Sequence, residues 1–226
     1  MNQIRSECNG ECAKSLAELP RVTCRRFLTT GVRPGDLILD VGSGDGDLMF
    51  ELQRMGANPI GVEMQPNLVT LCQQKGLDVR LGIAEQLPLD DGEFKRVVCS
   101  VVIPYTDERK AIAELSRVLQ PGGTALVTYH GLGYGLAYLL RGLGYKRRFY
   151  GMRMIVNTLF YRLTGRCLPS FVGDTLCQLM SSLNSYYHCS GLFLERQVVA
   201  ESFLGFPVFF CHELTKLPSA NENAPR

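Results

Sequence analysis

Leu37-Ile38-Leu39-Asp40-Val41-Gly42-Ser43-Gly44-Asp45-Gly46-Asp47 is the stretch that decides the fold. A short apolar run of strand length ends in three alternating glycines, and a helical segment from Leu48 to Met55 follows. Glycines at a strand-to-helix turn permit a tight bend and let a ligand lie against bare backbone. A dinucleotide enzyme would show Gly-x-Gly-x-x-Gly and seat a pyrophosphate on the helix N-terminus. Here the spacing is Gly-x-Gly-x-Gly, preceded by Asp40 and crowded by Asp45 and Asp47. Carboxylates at that place repel phosphate and suit an ammonium or a sulfonium group.

Outward from this turn the chain alternates. Pro59 to Glu63, Asp78 to Gly82, Arg96 to Val102 and Thr124 to Tyr129 read as strands. Asn67 to Lys75 and Glu108 to Leu119 read as helices, the latter with Ile112, Leu115, Val118 and Leu119 on one face and Pro121-Gly122-Gly123 as its stop. Upstream, Ala13 to Thr30 reads as a helix or two, interrupted near Pro20, and Val32 to Asp36 as a turn. Strands alternating with helices predict an α/β fold with a parallel sheet covered on both faces and right-handed crossovers. After His130 the alternation breaks: 131–190 reads as mostly helical, and Leu192 to Val199 and Phe206 to Leu214 as two closing strands. The expected organisation is one unit over residues 1–217, loose over 1–12, with 131–190 as a helical insertion and 218–226 as a disordered tail.

Glu63 ends the second strand about 20 residues beyond the loop, where such folds place an acid that accepts from ribose hydroxyls. At this point the residues resemble the class I S-adenosylmethionine-dependent methyltransferases of the small-molecule type. The resemblance covers Val32 to Tyr129. It rests on Leu37 to Gly46, Gly61-Val62-Glu63, Gly82-Ile83-Ala84-Glu85-Gln86-Leu87-Pro88 and Arg117-Val118-Leu119-Gln120-Pro121-Gly122-Gly123. It implies a Rossmann-like, seven-stranded, mostly parallel sheet of order 3-2-1-4-5-7-6, the seventh strand antiparallel, with the insertion between strands five and six. It implies S-adenosyl-L-methionine as cofactor. Asp40 would then hold the methionine ammonium, and Gly42, Ser43 and Gly44 would line the cofactor. Glu63 would hold the ribose, Met64 would pack on the adenine, Ala84 would offer backbone to the adenine edge with Glu85 beside it, and Ser100 would lie near the methionine end. The chain departs from the family twice: Ile83 stands where an Asp usually takes the adenine amino group, and Phe94-Lys95 stands for the common Phe-Asp.

Composition is that of a globular protein of 226 residues with a formal net charge of +2. Nine cysteines, odd in number and without a Cys-x-x-Cys pair, argue against a zinc site and for a reducing, cytoplasmic setting. No signal peptide or membrane span is read from the sequence. The charge is segregated: Gly131 to Ser170 holds seven cations (Arg141, Lys146, Arg147, Arg148, Arg153, Arg162, Arg166) and no acid, which leaves the rest of the chain at −5. Tyrosines and phenylalanines are interleaved with them. Four readings stand side by side: capture of an anionic acceptor by residues such as Tyr134, Arg147, Arg148 and Arg153; docking on an anionic membrane, with Leu136, Leu139 and Leu140 as the apolar face; nucleic-acid binding, for which no recognised module is present; and a solvated cover whose cations meet carboxylates elsewhere.

Methyl transfer is an in-line displacement at an activated carbon, so alignment and exclusion of water carry most of the work. A base is needed only for an acceptor that arrives protonated. His130, just past strand five, and Tyr105, just past strand four, stand where an acceptor would be oriented or deprotonated. The expectation is methylation of a small-molecule acceptor, at oxygen, anionic or lipid-like, with no metal. The rival class is a non-catalytic S-adenosylmethionine-binding or scaffold protein, favoured by Ile83 and Lys95. A nicotinamide dehydrogenase is disfavoured by the glycine spacing.

Overall fold

The computed structural model describes residues 18–166, 168 and 175–218. The loose segment expected over 1–12 and, apart from Pro218, the tail expected over 218–226 lie outside the described residues.

Seven strands form one sheet: β1 (Leu37–Val41), β2 (Asn58–Glu63), β3 (Val79–Leu81), β4 (Phe94–Ser100), β5 (Leu119–His130), β6 (Leu192–Phe203) and β7 (Phe206–Lys216), in the order β3-β2-β1-β4-β5-β7-β6. β1 to β5 pair in parallel, and β7 runs antiparallel to both β5 and β6. The described helices are α1 (Glu18–Leu28), α2 (Asp47–Arg54), α3 (Pro66–Gln74), α4 (Glu108–Val118), α5 (Leu132–Arg141), α6 (Tyr145–Thr164) and α7 (Met180–Cys189). This is the expected order, with α5, α6 and α7 between β5 and β6.

Both faces of the sheet are buried, as alternating side chains of a covered parallel sheet require. Leu39, Val97, Cys99, Ala125 and Val127 pack with Ile112 and Leu115 of α4 and with Leu183 and Tyr187 of α7. Their neighbours Ile38, Val98 and Leu126 face the other way, against Phe27 and Leu28 of α1 and Leu48 and Leu52 of α2.

α1 is described over Glu18–Leu28; the part of the expected helical stretch before residue 18, and with it the interruption expected near Pro20, lies outside the described residues. Several boundaries differ from the sequence reading, each for a local reason. α4 stops at Val118 because Leu119 is already extended (φ −74°, ψ 138°), and β5 runs through Pro121-Gly122-Gly123, pairing Leu119 with Phe94. β4 ends at Ser100 rather than Val102, because Val101 is left-handed (φ 57°) and a 3-10 turn over Ile103–Tyr105 follows. β6 and β7 are longer than read, joined at Leu204-Gly205, both with positive φ, the backbone of a tight hairpin turn.

Candidate active site

β1 is flanked by β2 and β4, and its register sets Asp40 opposite Gly61 and Val98. The chain then turns through Gly42 (φ 76°) and Gly44 (φ 59°), a left-handed backbone that favours glycine. At Gly42 the requirement is also steric: a Cβ would stand 2.2 Å from Val102 Cγ2. At Gly44 it is the reverse, since a Cβ would meet nothing within 4 Å. Gly44 thus presents bare backbone to open space. Val102 is brought against the loop by the left-handed Val101, a β-branched residue in a strained conformation at the edge of the sheet.

A cavity of about 170 Å³ opens at this edge, lined by Arg25, Asp40, Gly42, Ser43, Asp45, Asp47, Leu48 and Ser100. Asp40 is buried, and its Oδ2 has no hydrogen-bond partner among the described residues. Burial lifts its carboxyl from 3.8 to about 7, with Arg25 opposing the rise and Glu63 adding to it. Arg25 reaches the cavity from α1, where its Nε donates to Glu51 Oε2 at 2.5 Å. Three acids and one cation therefore face one small space, a set suited to a group carrying both an ammonium and a carboxylate. Nothing in the sequence around Arg25 marks it, because its place depends on how α1 packs on the sheet.

Glu63 is buried at the end of β2. Its Oε2 accepts from Gly44 N at 3.0 Å and its Oε1 from Gln65 N at 2.9 Å. The acid read from the sequence as a ribose acceptor thus also pins the glycine loop, and each oxygen keeps a further lone pair for a ligand hydroxyl. Beyond it, Met64, Leu81 and Ile83 are exposed at the ends of two paired strands, Glu63 standing opposite Leu81. Ala84 is buried. Glu85 Oε1 accepts from Asp107 N at 3.0 Å and so ties this loop to the start of α4. Lys95 is exposed near the opposite end of β4, on the order of 15 Å of strand away from Ser100, so that departure from the family pattern lies away from the cavity.

One strand further along, the other predicted residues come together. His130 ends β5; its ring stacks on Tyr134 at 4.0 Å, and Tyr105 approaches edge-on at 6.2 Å. His130 is buried, and burial pushes its imidazole down to about 3, so the ring is neutral at ordinary pH. Ser100 pairs with Thr128 of β5, which sets this aromatic cluster beside the acidic cavity along the same sheet edge.

Arg147, Arg148 and Arg153 are not among the residues lining the cavity. Arg148 Nε instead donates to Gly142 O at 3.3 Å, at the start of α6. Arg162 pairs with the fully buried Glu108 at 2.8 Å, so the charge segregation seen along the sequence is partly neutralised in space. The apolar face assigned to Leu136, Leu139 and Leu140 is also corrected: Leu136 and Leu139 are half-buried and only Leu140 is exposed, because α5 packs against the start of β7.

Over residues 39–127 the chain matches a methyltransferase domain. The chain is 34% identical over 101 residues to an uncharacterised protein of Mycobacterium tuberculosis, covering 42% of this chain and 37% of that protein. It is also 34% identical over 106 residues to a ribosomal protein L11 methyltransferase of Burkholderia lata, covering 44% and 34%. The chain thus covers about a third of the length of those relatives. In three dimensions the chain resembles an S-adenosylmethionine-dependent methyltransferase of Mesorhizobium loti (TM-score 0.65, 16% identity, 87% of this chain and 97% of that one). It also resembles a geranyl diphosphate C-methyltransferase of Streptomyces coelicolor solved with Mg2+, geranyl diphosphate and S-adenosyl-L-homocysteine (TM-score 0.60, 15% identity, 87% and 79%). The matched residues include the glycine loop, Glu63 and the end of β4 and run into β5 as far as Val127; the end of β5 and α5 to α7 follow them.

Proposed function

We propose that this chain transfers a methyl group from S-adenosyl-L-methionine to a small-molecule acceptor bound between the end of β5 and the helices that follow. The observation that carries the reading is the acid-lined cavity beside the glycine loop, lined in part by Asp40, whose Oδ2 has no partner among the described residues. Asp40 would take the methionine ammonium, Arg25 the carboxylate, and Gly42, Ser43 and Gly44 the backbone between them. Glu63 would accept from the ribose, with Met64 and Ile83 as apolar surface and Ala84 as backbone contact for the adenine. When bound, the cofactor supplies the activated methyl group. The chain's own part is to align the acceptor and keep water out.

His130, Tyr105 and Tyr134 are the groups that would hold the acceptor. A neutral, buried imidazole orients a hydroxyl better than it stores a proton, so His130 is assigned to orientation, and oxygen is the acceptor atom this cluster suits best. The acceptor is anionic or lipid-like, given the cations after β5, and a peripheral contact with an anionic membrane belongs to the same reading. Calorimetric titration with S-adenosyl-L-homocysteine tests the cofactor half. Binding that is lost in Asp40→Ala and retained in Lys95→Ala supports it. Absence of binding, or preference for NAD, sinks it.

A further inference from the structure

α6 turns its apolar face to water. Its buried side is small and largely polar: Gly151, Met154, Asn157 and Thr158. Gly151 lets α5 and α6 approach so closely that a Cβ there would stand 2.6 Å from Gly135 O and from Leu139 N. Asn157 donates to Thr175 O at 3.2 Å and accepts from Leu168 N at 2.9 Å. Thr158 accepts from Cys177 N at 2.8 Å and donates to Met154 O at 2.7 Å. The helix is therefore seated by close backbone contact and hydrogen bonds. On the opposite side Tyr145, Phe149, Met152, Val156, Leu159 and Leu163 recur every three or four residues, a single stripe, and all are exposed. Leu159 is 60% and Leu163 78% exposed, and Leu143, at 82%, extends the patch beyond the helix start. A contiguous patch of this kind marks a docking surface.

The charge around the stripe selects the occupant. At 3.6 residues per turn, Lys146 lies roughly 100° round the helix from the stripe on one side and Arg148 roughly 60° on the other, both exposed. α6 contains no acid. A second copy laid parallel along the stripe would set Lys146 and Arg148 against their own counterparts, and in neither direction does α6 offer an acid to meet them. Among the described residues no helix is long and apolar enough to cross a membrane, so the contact lies on a surface. We propose that this face of α6 docks on an anionic lipid bilayer, the stripe entering the boundary between headgroups and acyl chains while Lys146 and Arg148 meet the lipid charges. The proposal deepens the membrane part of the preceding reading and is independent of methyl transfer. It also gives the aromatic row a purpose: rings run from His130 to Tyr134 to Tyr138 to Tyr150, the last on the docking helix, at centroid spacings of 4.0, 4.7 and 5.5 Å.

The test is flotation of the full chain with phosphatidylcholine vesicles with and without about one-third phosphatidylserine. Wild type should float with the anionic vesicles only, less so as salt rises. Lys146→Gln with Arg148→Gln should weaken the partition about tenfold to thirtyfold, and Leu159→Gln with Leu163→Gln at least tenfold. Both variants should keep wild-type affinity for S-adenosyl-L-homocysteine, which separates failure of this proposal from failure of the cofactor reading. The sequence has no tryptophan. Phe149→Trp, a conservative change, therefore places a single reporter on the stripe, and its emission should shift to the blue with anionic vesicles. No flotation of wild type, equal flotation of the variants, equal flotation on neutral vesicles, no blue shift, or a wild-type dimer that Leu159→Gln with Leu163→Gln turns into a monomer would each overturn it.

Discussion

Asp40 has to be a carboxylate to hold an ammonium, yet burial favours its protonated form. The fold holds that proton more tightly than the unfolded chain does, with a carboxyl near about 7 against 3.8. Stability from the proton is full below pH about 4 and is lost as pH rises toward 7. Asp40→Asn, which never ionises, should thus melt higher than wild type in the absence of ligand, by a margin that widens from pH about 4 to about 7 and then levels off. The same variant should bind S-adenosyl-L-homocysteine more weakly, and wild-type affinity should fall below pH about 7 as Asp40 takes up its proton. Melting curves and titrations across that range check both. His130 should show no titration between pH 5 and 8 in its ring resonances, since burial holds it at about 3; a midpoint near 6.5 would contradict its placement. Asp40, Glu63 and the glycines were legible because turn chemistry and ligand chemistry coincide within a few residues. Arg25 was not, because only packing brings α1 to the cavity. Nor was the second role of Glu63, whose bond to Gly44 N needs the loop's three-dimensional path.

The glycine loop and α6 are the elements whose behaviour most depends on this account. Gly44→Val puts a branched side chain where no protein atom stands within 4 Å, so its effect should fall on the ligand, with backbone strain of about 1–3 kcal/mol at φ 59°. S-adenosyl-L-homocysteine binding should drop more than tenfold while circular dichroism remains that of the wild type. α6 is anchored to α4 through Arg162 and Glu108. Burial raises the Glu108 carboxyl despite Arg162, so the pair is costly to keep, and removing one member is costlier still. Glu108→Gln should destabilise the chain by about 3 kcal/mol in urea unfolding. The strands were legible from short apolar runs between turn signals, and the helical character of 131–190 from the loss of alternation. The orientation of α6 was not legible. Its strongest periodic stripe is the one that faces water, because Gly151, Asn157 and Thr158 seat the helix.

Across the whole molecule, strand order follows from the crossovers. β1 and β4 sit side by side in the middle of the sheet, so the loop after β1, Ser100 at the end of β4 and His130 at the end of β5 open on one edge. The cavity comes first, then the aromatic cluster at His130, whose row of rings runs on through Tyr134 and Tyr138 to Tyr150 of α6. The first of the three is the central claim. Its most direct test is calorimetric titration of the full chain with S-adenosyl-L-homocysteine and with NAD at pH 8, repeated for Asp40→Asn and Gly44→Val. Saturable binding of S-adenosyl-L-homocysteine at one site, weakened in both folded variants, and no heat from NAD are expected. Binding of NAD, or binding of S-adenosyl-L-homocysteine that is unchanged in both variants, would contradict it.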